Sequence, residues 1–209
     1  MAIALVACAS DETVMPETDL TEVQSSAHYT FHMAPGDSVD IAWQETYIAW
    51  LSTTLDVDLT TPLEYFKYRN RSHLASLTGR ETNGFAEPGT PRFHTIWPID
   101  NHEGVHTVVI LYFGHPPALL NEGVAVAHQT NPPRDDLVAR WNGRDVHDRA
   151  REFLNQGTLP PLEALLESEA FFQHDANITY PASGSFVRHL LDTYGWASFK
   201  EVLGAILFS

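Results

Sequence analysis

Residues 99–106 read IDNHEGVH and run directly into the apolar stretch TVVILYF at 107–113. The fold turns on this segment, because short alternating stretches dominate up to Trp97, whereas apolar residues recur at helical spacing from Pro98 onward. Pro98 suits the first turn of a helix, and Gly114-His115-Pro116-Pro117 stops one, so the pattern predicts a helix over 98–113. On that helix His102 and His106, four residues apart, share a face and can present two imidazoles to one metal ion, with Glu103 beside them. A random order of this composition would produce HExxH about once in 25 chains, so the motif needs support from elsewhere. A helix with surface histidines is the competing reading, and Gly104 in mid-helix costs about 1 kcal/mol relative to Ala.

A catalytic zinc takes three protein ligands and keeps a fourth position open. Metzincin spacing would demand Gly at 109 and His at 112, where this chain has Val109 and Tyr112. Glu122, within LLNEGVA at 119–125, is a better candidate for the third ligand. A Pro-stopped loop and a returning helix over 118–128 would bring its carboxylate back toward the histidines.

With HEGVH followed by LLNEGVA, the chain resembles the gluzincin metallopeptidases, the peptidase-MA-like group related in pattern to aminopeptidase N and thermolysin. The resemblance extends over about 28–207, and its specific parts are these two segments. It implies a zincin-like α+β domain that binds one Zn2+ ion through His102, His106 and Glu122. Glu103 would take a proton from the zinc-activated water and then act as proton donor, with a peptide or protein as substrate. Tyr180, in YPASGSFVRHL at 180–190, is similar to the aminopeptidase tyrosine that donates to the oxyanion. Losing such a donor typically costs about 3 kcal/mol of transition-state stabilisation. A tyrosine capping the start of a helix is the alternative for Tyr180, and His174 is a reserve donor. The stretch Gly84-Phe85-Ala86 would correspond to the family's substrate-aligning edge strand, an ordinary hairpin being the plainer reading. His115, His128 and His189 have no ligand spacing and read as solvated or core histidines. Nothing in the sequence separates endopeptidase from exopeptidase action.

Around this centre the pattern predicts strands over 28–33, 63–68 and 92–97, a helix over 38–55 and a short helix over 72–77. Further helices are expected over 145–155, 162–167, 182–194 and 196–207. Strands first and helices later make an α+β domain: a small N-terminal sheet followed by a mostly helical half carrying the HExxH helix.

The chain has 209 residues and a net charge of −15, and ten of its 12 basic residues are Arg. So acidic a surface repels phosphate backbones, and no nucleic-acid partner is expected. The single cysteine, Cys8, excludes an intrachain disulfide. Leu5-Val6-Ala7-Cys8 resembles the lipobox of bacterial lipoproteins, and the following acidic, Ser- and Thr-rich residues suit a tether. The expected organisation is therefore a truncated lipoprotein-type signal and acidic tether over 1–27, then the zincin-like domain over 28–209, with a C-terminal continuation left open. Lipidated Cys8 would be the only membrane attachment, placing the protein outside the cytoplasm in a bacterial envelope. Only seven residues precede Cys8 and none is basic, so a chance cysteine and a cytoplasmic protein form the competing reading. An envelope lipoprotein that keeps the zincin fold as a non-catalytic binding or scaffolding module is the alternative to the peptidase.

Overall fold

The computed structural model describes residues 19–130 and 139–207. Cys8 and the tether up to residue 18 lie outside the described residues.

The first half forms a five-stranded mixed sheet from β1 (Glu22–Ser25), β2 (Tyr29–Met33), β3 (Leu63–Lys67), β4 (Gly84–Ala86) and β5 (Arg92–Thr95). The spatial order is β1-β2-β3-β5-β4, with parallel pairing among β2, β3 and β5 and an antiparallel strand at each edge. Parallel neighbours require crossovers, which α1 (Ile41–Leu55) and α2 (Arg71–Thr78) supply on opposite faces. Asp40 caps α1 by accepting from Trp43 N at 3.0 Å, and Asp56 ends it at φ 51°, a left-handed position that Asp tolerates.

Alternation along the strands sorts the side chains. Tyr29, Phe31, Met33, Leu63, Tyr65 and Phe93 face one way, and with Tyr47, Ile48, Leu51 and Leu55 of α1 they build the main core. Each such side chain contributes about 1.5–3 kcal/mol by leaving water. On the other face the rings of His32, Phe66, His94 and Phe85 stack across four strands at centroid spacings of 4.4, 4.8 and 4.4 Å.

The second half is helical: α3 (Asn101–Phe113), α4 (Ala118–His128), α5 (Val146–Gln156), α6 (Leu162–Leu166), α7 (Ser168–Gln173) and α8 (Ala176–Leu207), the last broken at Gly195. Val105, Val108 and Val109 of α3 and Val124 of α4 extend the sheet's core into this half. No helix among the described residues is long and apolar enough to cross a membrane. The expected α+β arrangement is the one observed.

Several boundaries differ from the sequence reading. Strand β1 lies inside the segment read as tether; all four of its side chains are exposed, so it shows no apolar alternation and is held by backbone pairing with β2. The helix expected from Pro98 begins at Asn101, since Asp100 is the N-cap. The helix expected from 182 begins at Ala176. Asp175 accepts from Asn177 N at 2.9 Å, so Pro181 sits inside the helix rather than at its first turn. Helix α7 and a two-stranded hairpin, β6 (Arg140–Trp141) with β7 (Arg144–Asp145), were not anticipated.

A candidate metal centre in the cleft

Asp100 fixes the start of α3 by accepting from Glu103 N at 3.1 Å, and Gly114 at φ 77° ends the helix. The chain turns through Pro116-Pro117 and returns as α4, so that His102 and His106 of one helix confront Glu122 of the next. The position of α4 is set from behind by α8. A methyl at Gly123 would lie 2.4 Å from Val187 Cγ2 and 2.8 Å from Ser183 O, and one at Gly184 would lie 2.4 Å from Val126 Cγ1. Only glycines let these two helices approach so closely.

His102 Nε2 and His106 Nε2 are 3.0 Å apart, and one Glu122 oxygen lies 3.2 Å and 3.3 Å from them. A tetrahedral ion with bonds of about 2.0–2.1 Å separates its donors by about 3.3–3.4 Å, so this triangle is nearly the right size. The Glu122 oxygen is buried and makes no hydrogen bond, although both imidazoles adjoin it. Three potential ligand atoms converge on one point, and the cluster can hold a metal ion.

The charges agree. Burial alone would depress both imidazoles, but the adjoining Glu122 carboxylate reverses this, pushing His102 up to about 9 and raising His106 as well. Glu122 is held well below the usual carboxylate range; burial opposes this, and the two imidazoles overcome it. Glu103 is pushed up to about 7, first by burial and then by the charge of Asp100. The field of Asp100, Glu103 and Glu122 favours positive charge at the two histidines.

An open cleft of about 220 Å³ lies over the cluster. His102, Glu103, His106, Asn121, Glu122 and Tyr180 line it together with Ile110 and the whole of β4. Tyr180 lines the cleft beside Glu122, and its ring lies 6.0 Å from that of His102 at an angle of 20°. It stands well inside α8 and is not a helix cap. Burial first, then the charges of Glu122 and Glu103, raise its hydroxyl above the ordinary tyrosine value, so it remains a donor. Gly84 packs tightly: a methyl there would come within 3.0 Å of Glu103 Cγ and 3.2 Å of Asp100 Oδ2.

All five residues singled out from the sequence therefore meet in one cleft. His174, the reserve donor, ends α7 and does not line it. His128 is buried between Trp50 and Trp196, a core histidine as expected. Sequence reasoning missed Gln129, whose Oε1 accepts from His102 Nδ1 at 2.6 Å. No local spacing rule connects a residue after α4 to the start of α3. The one available signal was that a ligating histidine normally donates its second N–H to an acceptor. Compared with known proteins, this chain matches no protein-family model, no curated protein and no solved structure, so its reading rests on the residues and geometry just described.

Proposed function

We propose that this protein is a zinc-dependent peptidase of gluzincin type on a zincin-like fold. The observation that carries the reading is the convergence of His102 Nε2, His106 Nε2 and a buried Glu122 oxygen, with Glu103 beside them under an open cleft. Two imidazoles and a carboxylate form a donor set of catalytic zinc sites, and zinc bound there would lower the pKa of a water toward 7 and polarise a carbonyl.

The chain's own residues supply the rest. Glu103, beside the two histidines in the cleft lining, would accept a proton from the attacking water at its carboxylate and deliver it to the leaving amine nitrogen. Tyr180 aims its hydroxyl into the same space and donates to the carbonyl oxygen as negative charge develops there. Strand β4 pairs with β5 along one edge, and its other edge can take an extended peptide by backbone hydrogen bonding across the cleft. Gly84 lets that strand lie against Glu103 with no side chain between them.

The test is metal content followed by turnover. The purified protein is expected to hold one zinc per chain and to hydrolyse members of a peptide library. A chelator should stop the hydrolysis, zinc should restore it, and Glu103→Gln should lower it by about 10²–10⁴-fold without releasing the metal. Absence of stoichiometric zinc, or hydrolysis unchanged in Glu103→Gln, defeats the proposal. A zinc-loaded protein inert on every peptide that captures one partner would favour the non-catalytic envelope module instead.

A further inference from the structure

We infer that Gln129 is a positioning residue for the metal ligand His102, and that the β6–β7 hairpin sets its orientation. This rests on the metal-site reading above. Gln129 is the C-cap of α4, and its backbone carbonyl accepts from Asn101 Nδ2 at 2.9 Å, which docks the end of α4 onto the start of α3. Its side-chain amide bridges two groups: Oε1 faces His102 Nδ1 at 2.6 Å, and Nε2 donates to the carbonyl oxygen of Arg140 at 3.0 Å.

The Arg140 contact removes the usual ambiguity of an amide. A carbonyl can only accept, so the amide NH2 must face Arg140 and the amide oxygen must face His102. An oxygen at 2.6 Å in turn requires that His102 Nδ1 carry the hydrogen. In the neutral ring that a metal would bind, Nε2 then keeps its lone pair toward Glu122 and His106, the tautomer a metal ligand needs. A single side chain thereby converts the position of a hairpin carbonyl into the protonation pattern of a ligand more than twenty residues earlier. The hairpin also reaches the other side of the cleft, where Trp141 packs 5.0 Å from the ring of Tyr180. Metal sites commonly use a carboxylate for this second contact. An amide adds no charge to a pocket that already holds Asp100, Glu103 and Glu122, and it can donate to the hairpin where a carboxylate cannot.

The inference is tested by zinc affinity, measured by competition with a chromophoric chelator, in the wild-type chain, Gln129→Leu and Gln129→Glu. Gln129→Leu is expected to bind zinc about 10- to 100-fold more weakly. Gln129→Glu keeps the acceptor for His102 but loses the donor to Arg140, and is expected to bind zinc more weakly than wild type and more tightly than Gln129→Leu. In the zinc-loaded wild type, long-range proton–nitrogen correlation should show a proton on His102 Nδ1 that exchanges slowly with solvent. The inference is overturned by wild-type affinity in Gln129→Leu or in Gln129→Glu, by a Gln129→Glu variant that binds no better than Gln129→Leu, or by a bare Nδ1. If Gln129→Leu does not fold, Gln129→Glu and the wild-type spectrum decide. Failure of the wild type itself to bind zinc would instead remove the underlying site reading, and this inference with it.

Discussion

The molecule contains two buried histidine–glutamate clusters that look alike in composition and differ in what their atoms do. Behind the sheet, His94 is 1% exposed and lies between the rings of Phe66 and Phe85. Both of its nitrogens are engaged, Nδ1 with the Tyr68 hydroxyl and Nε2 with Glu87, each at 2.8 Å. In the cleft, His102, His106 and Glu122 turn one potential ligand atom each toward a single point, and the shared Glu122 oxygen has no hydrogen bond. His106 Nδ1 and Asn121 Oδ1, a donor and an acceptor, are likewise buried without partners. Saturation marks a cluster that holds the fold together, and convergence without saturation marks one built around something else.

The sharpest way to break this contrast is to change one carboxylate in each region. Glu103→Gln is expected to lower peptide hydrolysis by about 10²–10⁴-fold at unchanged zinc content, the range typical of a lost general base. Glu87→Gln should leave the rate nearly as it was. Equal losses in the two variants would mean that the saturated cluster also serves the reaction.

Metal addition separates the clusters through stability. Zinc at about a thousand times its dissociation constant should stabilise the wild type by about 4 kcal/mol in urea denaturation. His106→Leu is expected to forfeit this gain, whereas His94→Leu should retain it. In zinc-free protein His94→Leu takes away the shared partner of the Glu87 carboxylate and the Tyr68 hydroxyl and should cost on the order of 3 kcal/mol.

His128 offers a third environment, buried and neutral. Burial depresses its pKa from 6.5 to about 4, so protons bind the unfolded chain more readily than the folded one. Its contribution is therefore fully present above about pH 6.5 and is lost as the pH falls toward 4, up to about 3 kcal/mol. Urea denaturation across this window should show a shallower decline in His128→Gln than in wild type. Identical slopes would remove His128 as the source.

The smallest effects concern two glycines of the metal motifs. Gly123→Ala drives a methyl into the backbone of α8 and should destabilise by about 1–3 kcal/mol. The nearest atom to a methyl at Gly104 is the Tyr29 hydroxyl at 3.9 Å, so Gly104→Ala should stabilise by up to about 1 kcal/mol. Thermal unfolding of the two variants reads both signs.

The legible parts of this chain are those where periodicity and chemistry coincide. His102, His106 and Glu122 were readable because four-residue spacing and a Pro-stopped turn fix a helical hairpin. Tyr29, Phe31 and Met33 were readable because they alternate. Strand β1 was not, because an exposed edge held by backbone pairing leaves no trace in side-chain pattern. The start of α8 was not readable from the apolar pattern, because Asp175, six residues before Pro181, caps its first turn. The supporting contacts of the cleft were invisible for a different reason. Gln129, Arg140 and Gly84 act through distances that only the packed helices and sheet create.

The mixed sheet has a further consequence, for the order in which the molecule assembles. Parallel pairing of Tyr29 with Leu63 and of Glu64 with Arg92 closes long loops, a slow and entropically expensive event. His102, His106 and Glu122, by contrast, lie on two successive helices joined by a short turn. Topology thus favours early formation of the ligand-bearing hairpin. Glu103 acquires its wall of β4, and the cleft its floor, only when the distant strands have joined.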